Sequence, residues 1–328
     1  MNATKFISAC AVLVALASCS SDHELSQQSA EVTPIRIQAN VGGSTTRVAG
    51  TIQGTQFEPD EYINVYLFEK SGGTGTPASY GDNGLVVFKT SDANGNMSPS
   101  DPSGALYYPA NGQSVLAYAF YPALPGEEVD NIYNIKNNAN TFIVAKDQST
   151  PKAYKKSDLM FAKQVETAKT NDPIKLTFEH QLTKIKVILQ AGAGVPDVTD
   201  ATITMLNVKK TIGLTMPTSD YSQNITLGEA FGATGSIDFG TVDKTNGNAI
   251  IIVPQTVTKG TKLFEVSYNG GTYSYTLPNG DGDSGVTFAA KTEYTYTLTL
   301  TSRGLTVTST KINAWGDGGN TNGEATLN

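Results

Sequence analysis

The chain has 328 residues, with 23 Lys and Arg against 30 Asp and Glu and a net charge of −7, and it shows no basic cluster that would attract nucleic acid. Its length suits about two domains of about 150 residues each. Two cysteines, Cys10 and Cys19, are too few for a cysteine zinc site or a disulfide framework, so stability has to come from packing.

The first element is an apolar run from Phe6 to Leu16 behind the lone basic residue Lys5, of signal-peptide length and too short to span a bilayer as a helix. It closes on Leu16-Ala17-Ser18-Cys19, small residues and then a cysteine, which resembles a bacterial lipobox. The expectation is a signal peptide over 1–18 that is removed on export and leaves Cys19 as the new N-terminus. By resemblance to lipoproteins, that cysteine carries a thioether-linked diacylglycerol and an amide-linked third chain, the palmitate-type modification. Two or more acyl chains anchor a protein stably where one holds it only marginally. Beyond the signal no apolar run approaches the ~20 residues of a membrane-spanning helix, so the lipid is the expected membrane attachment. Cys10 leaves with the signal, which leaves no internal disulfide and 310 residues of net charge −8.

Residues 19–31 read as a tether, since Ser20 to Ala30 is polar and cannot bury enough surface to fold. Asp22 and Glu24 soon after Cys19 resemble the export signal that sends lipoproteins of Bacteroidia to the outer face of the outer membrane. Solvated linker charge is the other reading.

Period-two alternation dominates the rest: Ile35-Ile37-Ala39-Val41, Ile63-Val65-Leu67, Ile174-Leu176-Phe178 and Ile185-Val187-Leu189 each predict a half-buried strand. Tyr294-Tyr296-Leu298-Leu300, interleaved with threonines, sets an apolar face against a hydroxyl face. No comparably long 3.6-residue stripe with caps appears. Turn-rich spacers such as Ser71 to Gly84, Ser91 to Gly104 and Asn279 to Gly285 suit many short antiparallel strands. The prediction is an all-β protein of paired sandwiches, divided into 32–170 and 171–328, because Thr167 to Pro173 is polar and ends in proline before the strand at Ile174.

Candidate catalytic and metal constellations fail on chemistry. Gly282-Asp283-Ser284-Gly285 resembles the nucleophile motif of chymotrypsin-like proteases, but a serine nucleophile needs a base and an orienting carboxylate, and the body of the chain has one histidine, His180. The motif lies in a Gly- and Asp-dense stretch that reads as a loop. The runs at Asp281 and Asp283 and at Asp92, Asn94 and Asn96 offer oxygen ligands, yet the glycine needed at the sixth loop position is Val286 or Met97, and neither run has Glu at the twelfth. Gly316-Asp317-Gly318-Gly319 has no helix pattern after it to receive a phosphate. No catalytic residue, metal or cofactor is expected.

Several stretches together resemble the fimbrillin family, the pilins and pilus-associated lipoproteins of type V pili in Bacteroidia. They are Pro34-Ile35-Arg36-Ile37-Gln38-Ala39-Asn40-Val41 with Thr45-Thr46-Arg47, Asp60 to Phe68, Tyr107-Tyr108-Pro109-Ala110, Tyr118 to Pro122, Asp158 to Ala162, Leu176 to Ile185 and Ile312-Asn313-Ala314-Trp315. The resemblance implies two transthyretin-like β-sandwich domains in tandem after the lipoprotein signal and tether. It also implies that, in polymerising members, an arginine-specific protease removes the first strand and a strand of another subunit fills the exposed groove. Carried onto this sequence, the exchanged strand is Ile35, Ile37, Ala39 and Val41, and the cut falls between Arg47 and Val48 in a glycine-containing segment open to a protease. A donor tail is expected only from the short C-terminal Ala325 and Leu327, which suits an anchor, tip or accessory subunit better than a stalk.

The expected function is therefore that of a structural or adhesive pilus component, a surface-exposed outer-membrane lipoprotein whose partners are other pilus subunits. The alternative is a monomeric surface lipoprotein that binds host glycans or proteins through loops such as Ser71 to Gly84.

Overall fold

The computed structural model describes residues 32–42, 57–70, 80, 85–101, 105–123, 141–215, 225–280, 285–315 and 323–324. In chain order the elements are β1 (Ile37–Val41), β2 (Tyr62–Glu69), β3 (Leu85–Thr90), β4 (Asn96–Pro99), β5 (Val115–Tyr121), β6 (Thr141–Ile143), α1 (Pro151–Lys156), β7 (Met160–Thr167), β8 (Ile174–His180), β9 (Thr183–Ala191) and β10 (Thr202–Val208). They continue with β11 (Thr211–Thr215), β12 (Thr226–Phe231), β13 (Gly235–Thr241), β14 (Asn248–Ile252), β15 (Gln255–Val257), β16 (Lys262–Tyr268), β17 (Gly271–Thr276), β18 (Val286–Phe288), β19 (Thr292–Thr301), β20 (Gly304–Ala314) and β21 (Gly323–Glu324). The chain is all-β, as its alternation predicts.

Seven strands close into a barrel in the order β1-β4-β3-β2-β5-β7-β8. Every pairing in the ring is antiparallel except the closure, where β1 runs parallel to β8. Inward residues of each strand, among them Ile37, Ile63, Val65, Phe88, Ala117, Leu176 and Phe178, form one apolar cluster. β8 shows the pattern cleanly, with Ile174, Leu176 and Phe178 buried between exposed Lys175 and Thr177. The ring closes where the first strand meets β8.

The remaining strands form a four-stranded sheet β13-β10-β16-β17, a three-stranded sheet β12-β11-β6, a five-stranded sheet β14-β9-β19-β20-β21 and the pair β15-β18. Their core is a second, larger cluster that also takes Phe68, Tyr118, Phe120 and Phe161 from the barrel's outer surface. β2 and β5 are consequently buried on both faces, which is why β5 reads as a continuous apolar run rather than an alternation. Tyr66 stacks on Tyr118 at 4.8 Å on that outer face.

The division expected near residue 170 falls inside the barrel. Residues 168–173 join β7 to β8, which are paired with Met160 opposite His180 and Ala162 opposite Phe178, and the sheets change only after His180. A polar, proline-ended stretch is equally the signature of a tight connection between paired strands, and the pairing decides between the two. The chain also visits the second group early. β6 pairs with β11, and the buried Gln148 accepts from Ile251 N at 2.8 Å and donates to Ile251 O at 2.8 Å before the chain returns to β7.

One short helix escaped the sequence pattern. Thr150 caps α1 by accepting from Ala153 N at 3.3 Å, and Pro151 opens it, a position where proline's missing N–H costs nothing. Six residues give too little length for a visible stripe. Its single buried side chain is Tyr154.

Candidate functional site

The first strand sits in the barrel wall between two partners. On one edge Ile37 and Gln38 lie opposite Met97 and Asn96 of β4, and on the other Ile37 to Val41 follow Ile174 to Phe178 of β8 residue for residue. The pairing extends beyond the regular strand. Ile35 N donates to Leu106 O at 2.8 Å, Tyr108 N to Thr33 O at 2.9 Å, Ile174 N to Arg36 O at 2.8 Å and Gly42 N to Phe178 O at 2.6 Å. Residues 33 to 42 are thus bonded along both edges, and both walls would be left with unpaired backbone groups if they departed.

The inward face of this segment is the set predicted from the alternation: Ile35, Ile37, Ala39 and Val41 are all buried, Ala39 completely. Gln38 and Asn40 between them are half-buried and Arg36 is exposed. At ~1.5–3 kcal/mol for a buried large aliphatic side chain, the two isoleucines and the valine contribute roughly 5–9 kcal/mol to holding the strand. Any occupant of the same groove has to replace that burial.

The turn between β3 and β4 carries a feature that the sequence reading did not anticipate. Asp92 Oδ1 accepts from the N–H groups of Asn94 and Asn96 at 2.9 and 3.2 Å, and Oδ2 accepts from Asn96 Nδ2 at 2.8 Å. The Asn96 amide, with the two backbone donors, holds the Asp92 carboxyl below the usual carboxylate range. The Asp-Ala-Asn-Gly-Asn run is therefore a side-chain-stabilised turn, and its glycine has a purpose. Gly95 has φ +78°, and a Cβ there would fall 2.2 Å from the carbonyl oxygen of Ala39. The turn lies directly on the strand, with Ala39 N donating to Gly95 O at 2.8 Å and Gln38 Nε2 to Asn94 O at 3.1 Å. The Asn-Gly pair was the available signal for a tight turn; its contact with a strand more than fifty residues earlier was not.

At the exit end of the groove, Phe57 packs edge-on against Phe178, ring centres 5.1 Å apart, and tilts against Tyr121 at 5.4 Å. The chain leaves the strand at Gly42 and returns at Phe57 against the same Phe178. Arg47 and Val48 lie between these points, outside the described residues, as does Cys19. Ala325 and Leu327 are also outside them, while the neighbouring β21 pairs with Lys311 and Ile312 of β20.

Near Phe57 a cavity of about 410 Å³ is lined by Glu58, Asp60, Glu61, Lys152, Lys155 and Lys156 among others. Lys155 bridges Glu58 at 2.5 Å and Glu61 at 3.3 Å, and Tyr121 donates to Glu61 Oε1 at 3.1 Å. Burial and the Glu61 charge push the Tyr121 phenol well above its ordinary range. Glu58 and Glu61 thus share the Lys155 ammonium, and their charges offset it.

His180, the lone histidine of the body, is partnered: Nδ1 lies 2.8 Å from Asp158 Oδ1, and the ring stacks on Trp315 at 4.1 Å with 7° between planes. This cluster joins the end of β8 to the end of β20. Ser284 lies outside the described residues, and among the described residues no group of His, Cys, Asp and Glu could hold a metal ion.

Comparisons with known proteins agree with this architecture. The fimbrillin-like family profile matches residues 46–315. A curated relative from Bacteroides uniformis, carrying the name fimbrium subunit Fim1C, is 23% identical over 331 residues, covering 96% of this chain and 97% of the relative. Among solved structures, one named as a cell adhesion protein of Bacteroides ovatus superposes with a TM-score of 0.63 at 17% identity, covering 87% of this chain and 98% of the other. A second, named as a cell adhesion protein of Bacteroides uniformis, gives 0.58 at 19% identity, covering 86% and 98%. At these identities the two structures speak to the fold.

Proposed function

This chain belongs to the fimbrillin-like family, and from that premise we propose that it is a pilus subunit whose own first strand is exchanged for a strand of a neighbouring subunit. The family is one of fimbrial structural and adhesion proteins, not of enzymes. In this reading the chain is exported as a lipoprotein, anchored in the outer membrane through Cys19, and cut between Arg47 and Val48. With 1–18 already removed on export, the 19–31 tether and its lipid leave with the strand, so one cut both frees the subunit from its anchor and opens its barrel.

The observation that carries this reading is the position of β1. It is the barrel's closing strand, its inward residues are buried, and it joins the rest of the barrel through a single stretch between Gly42 and Phe57. A single break there releases a whole strand, leaving an apolar trough with unpaired edges that a second strand satisfies.

Limited trypsin treatment with terminal sequencing and size analysis tests the proposal, with pilin subunits of the family offered as donors. Protein starting at Val48 should assemble with a donor, and Arg47→Ala should stay monomeric under the same conditions. A chain that starts at Val48 and remains monomeric with every subunit offered refutes the exchange role and leaves the surface lipoprotein that binds host glycans or proteins. Cys19→Ser, followed by fractionation and acyl-chain labelling, tests the anchor separately; membrane retention of this variant at the wild-type level refutes it.

A further inference from the structure

We infer that the groove occupied by the first strand selects its occupant by size at one position, the one held by Ala39. The inference rests on the strand-exchange reading and names the partner: an extended segment of a second subunit. That segment has large aliphatic side chains where Ile35, Ile37 and Val41 now lie, and alanine, serine or glycine where Ala39 lies.

Three observations converge on that position. Ala39 is completely buried and stands opposite Leu176, itself completely buried, in the parallel ladder. Its methyl group therefore ends in a filled interior. Its backbone is held on both edges, by the β8 ladder and by the 2.8 Å bond to Gly95 O. And the Gly95 backbone lies so close that a single added carbon would reach Ala39 O. A larger side chain at this position meets the buried Leu176 and its neighbours on the inside, and withdrawal of the strand would break both sets of bonds. The flanking positions differ, because Ile35 and Val41 sit nearer the ends of the bonded segment and retain some exposure, at 6% and 8%.

One small site among large ones also sets register. Sliding an occupant by two residues drives a large side chain into the small position, and sliding it by one turns its apolar face outward. Gln38, whose side chain donates to Asn94 O from the outer face, marks the same register from outside. The occupant's recognisable pattern is thus large, any, large, Gln or Asn, small, any, large, entering in the same direction as β8.

The test uses the full chain nicked after Arg47, its new terminus at Val48 verified by sequencing and the protease then inhibited. Entry of labelled synthetic peptides is followed by fluorescence anisotropy. The peptides are residues 33–42 as they stand, the same with Ala39→Leu, and the same with Ile37→Leu as a volume-conserving control. The native peptide should enter, Ile37→Leu should enter within a few-fold of it, and Ala39→Leu should bind about tenfold to a hundredfold more weakly. Equal binding of the native and Ala39→Leu peptides overturns the size rule while leaving strand exchange standing, as does an equal loss for Ala39→Leu and Ile37→Leu. Failure of the native peptide to enter the nicked protein overturns the exchange reading itself.

Discussion

Gly95→Ala should loosen the first strand far more than it strains its own turn. At φ +78° an alanine costs about 1–2 kcal/mol in backbone energy, partly offset by about 0.4–1 kcal/mol from the stiffer unfolded chain. The added carbon would also stand 2.2 Å from Ala39 O, so turn and strand must part. That breaks the bonds from Ala39 N to Gly95 O and from Gln38 Nε2 to Asn94 O, each worth about 0.5–1.5 kcal/mol. The expected total is about 3 kcal/mol. Gly112→Ala is the control, because Gly112 has φ +76° but nothing within 4 Å of its added carbon, and it should cost about 1 kcal/mol. The difference of about 2 kcal/mol corresponds to roughly thirtyfold in the opening equilibrium of β1. Urea unfolding gives the totals, and hydrogen exchange at the Ala39 and Gly42 amides gives the local opening. Equal costs for the two variants, or unchanged exchange at those amides in Gly95→Ala, would refute the claim that the turn clamps the strand.

Gln148→Leu keeps most of the side-chain volume but strips three hydrogen bonds from a buried bridge, to Ile251 N, Ile251 O and Ala145 O; at about 1–3 kcal/mol for a buried group left unpaired, urea unfolding should show a loss of about 3 kcal/mol, and a loss below 1 kcal/mol would contradict the bridge. Alkaline pH should destabilise the fold between pH 10 and 12. Burial pushes the phenols of Tyr66 and Tyr80 up to about 12, Glu69 and Tyr108 adding to the shift at Tyr80. The native state thus keeps protons that the unfolded chain releases from pH 10, so stability is flat below that pH and falls above it. Tyrosinate absorbance should develop later in the native protein than in denaturant; superimposable titrations would count against it.

What the sequence disclosed depended on whether the determining interaction was local. Strict alternation fixed the faces of the first strand, of β8 and of β19, whose Tyr294, Tyr296, Leu298 and Leu300 are buried between half-buried threonines. Periodicity says nothing of which strand lies alongside. The parallel pairing of Ile37–Val41 with Ile174–Phe178 spans about 140 residues, and with it went the closure of the barrel and the true membership of β8. The same distance hid the partners of polar residues. His180 looked solitary because Asp158 and Trp315 meet it only through the fold, and the oxygen-rich Asp92 run, which fails as a cation loop, showed no role of its own because the amide partners of Asp92 depend on the turn that it builds. α1 was missed for the opposite reason: its cap and proline were legible at Thr150 and Pro151, but one buried tyrosine makes no stripe.

The direction in which β1 is bonded bears on force. Its ladder with β8 runs along five consecutive residues, and the opposite edge is tied to β4 and the Gly95 turn. Tension along the strand axis loads these bonds together in shear, whereas a pull across the sheet would open them one after another. Under the proposed exchange, a fibre drawn along that axis fails only when a whole ladder ruptures at once. Its resistance to flow or to a pulling cell is then governed by the rate of that event and not by the equilibrium affinity of the joint.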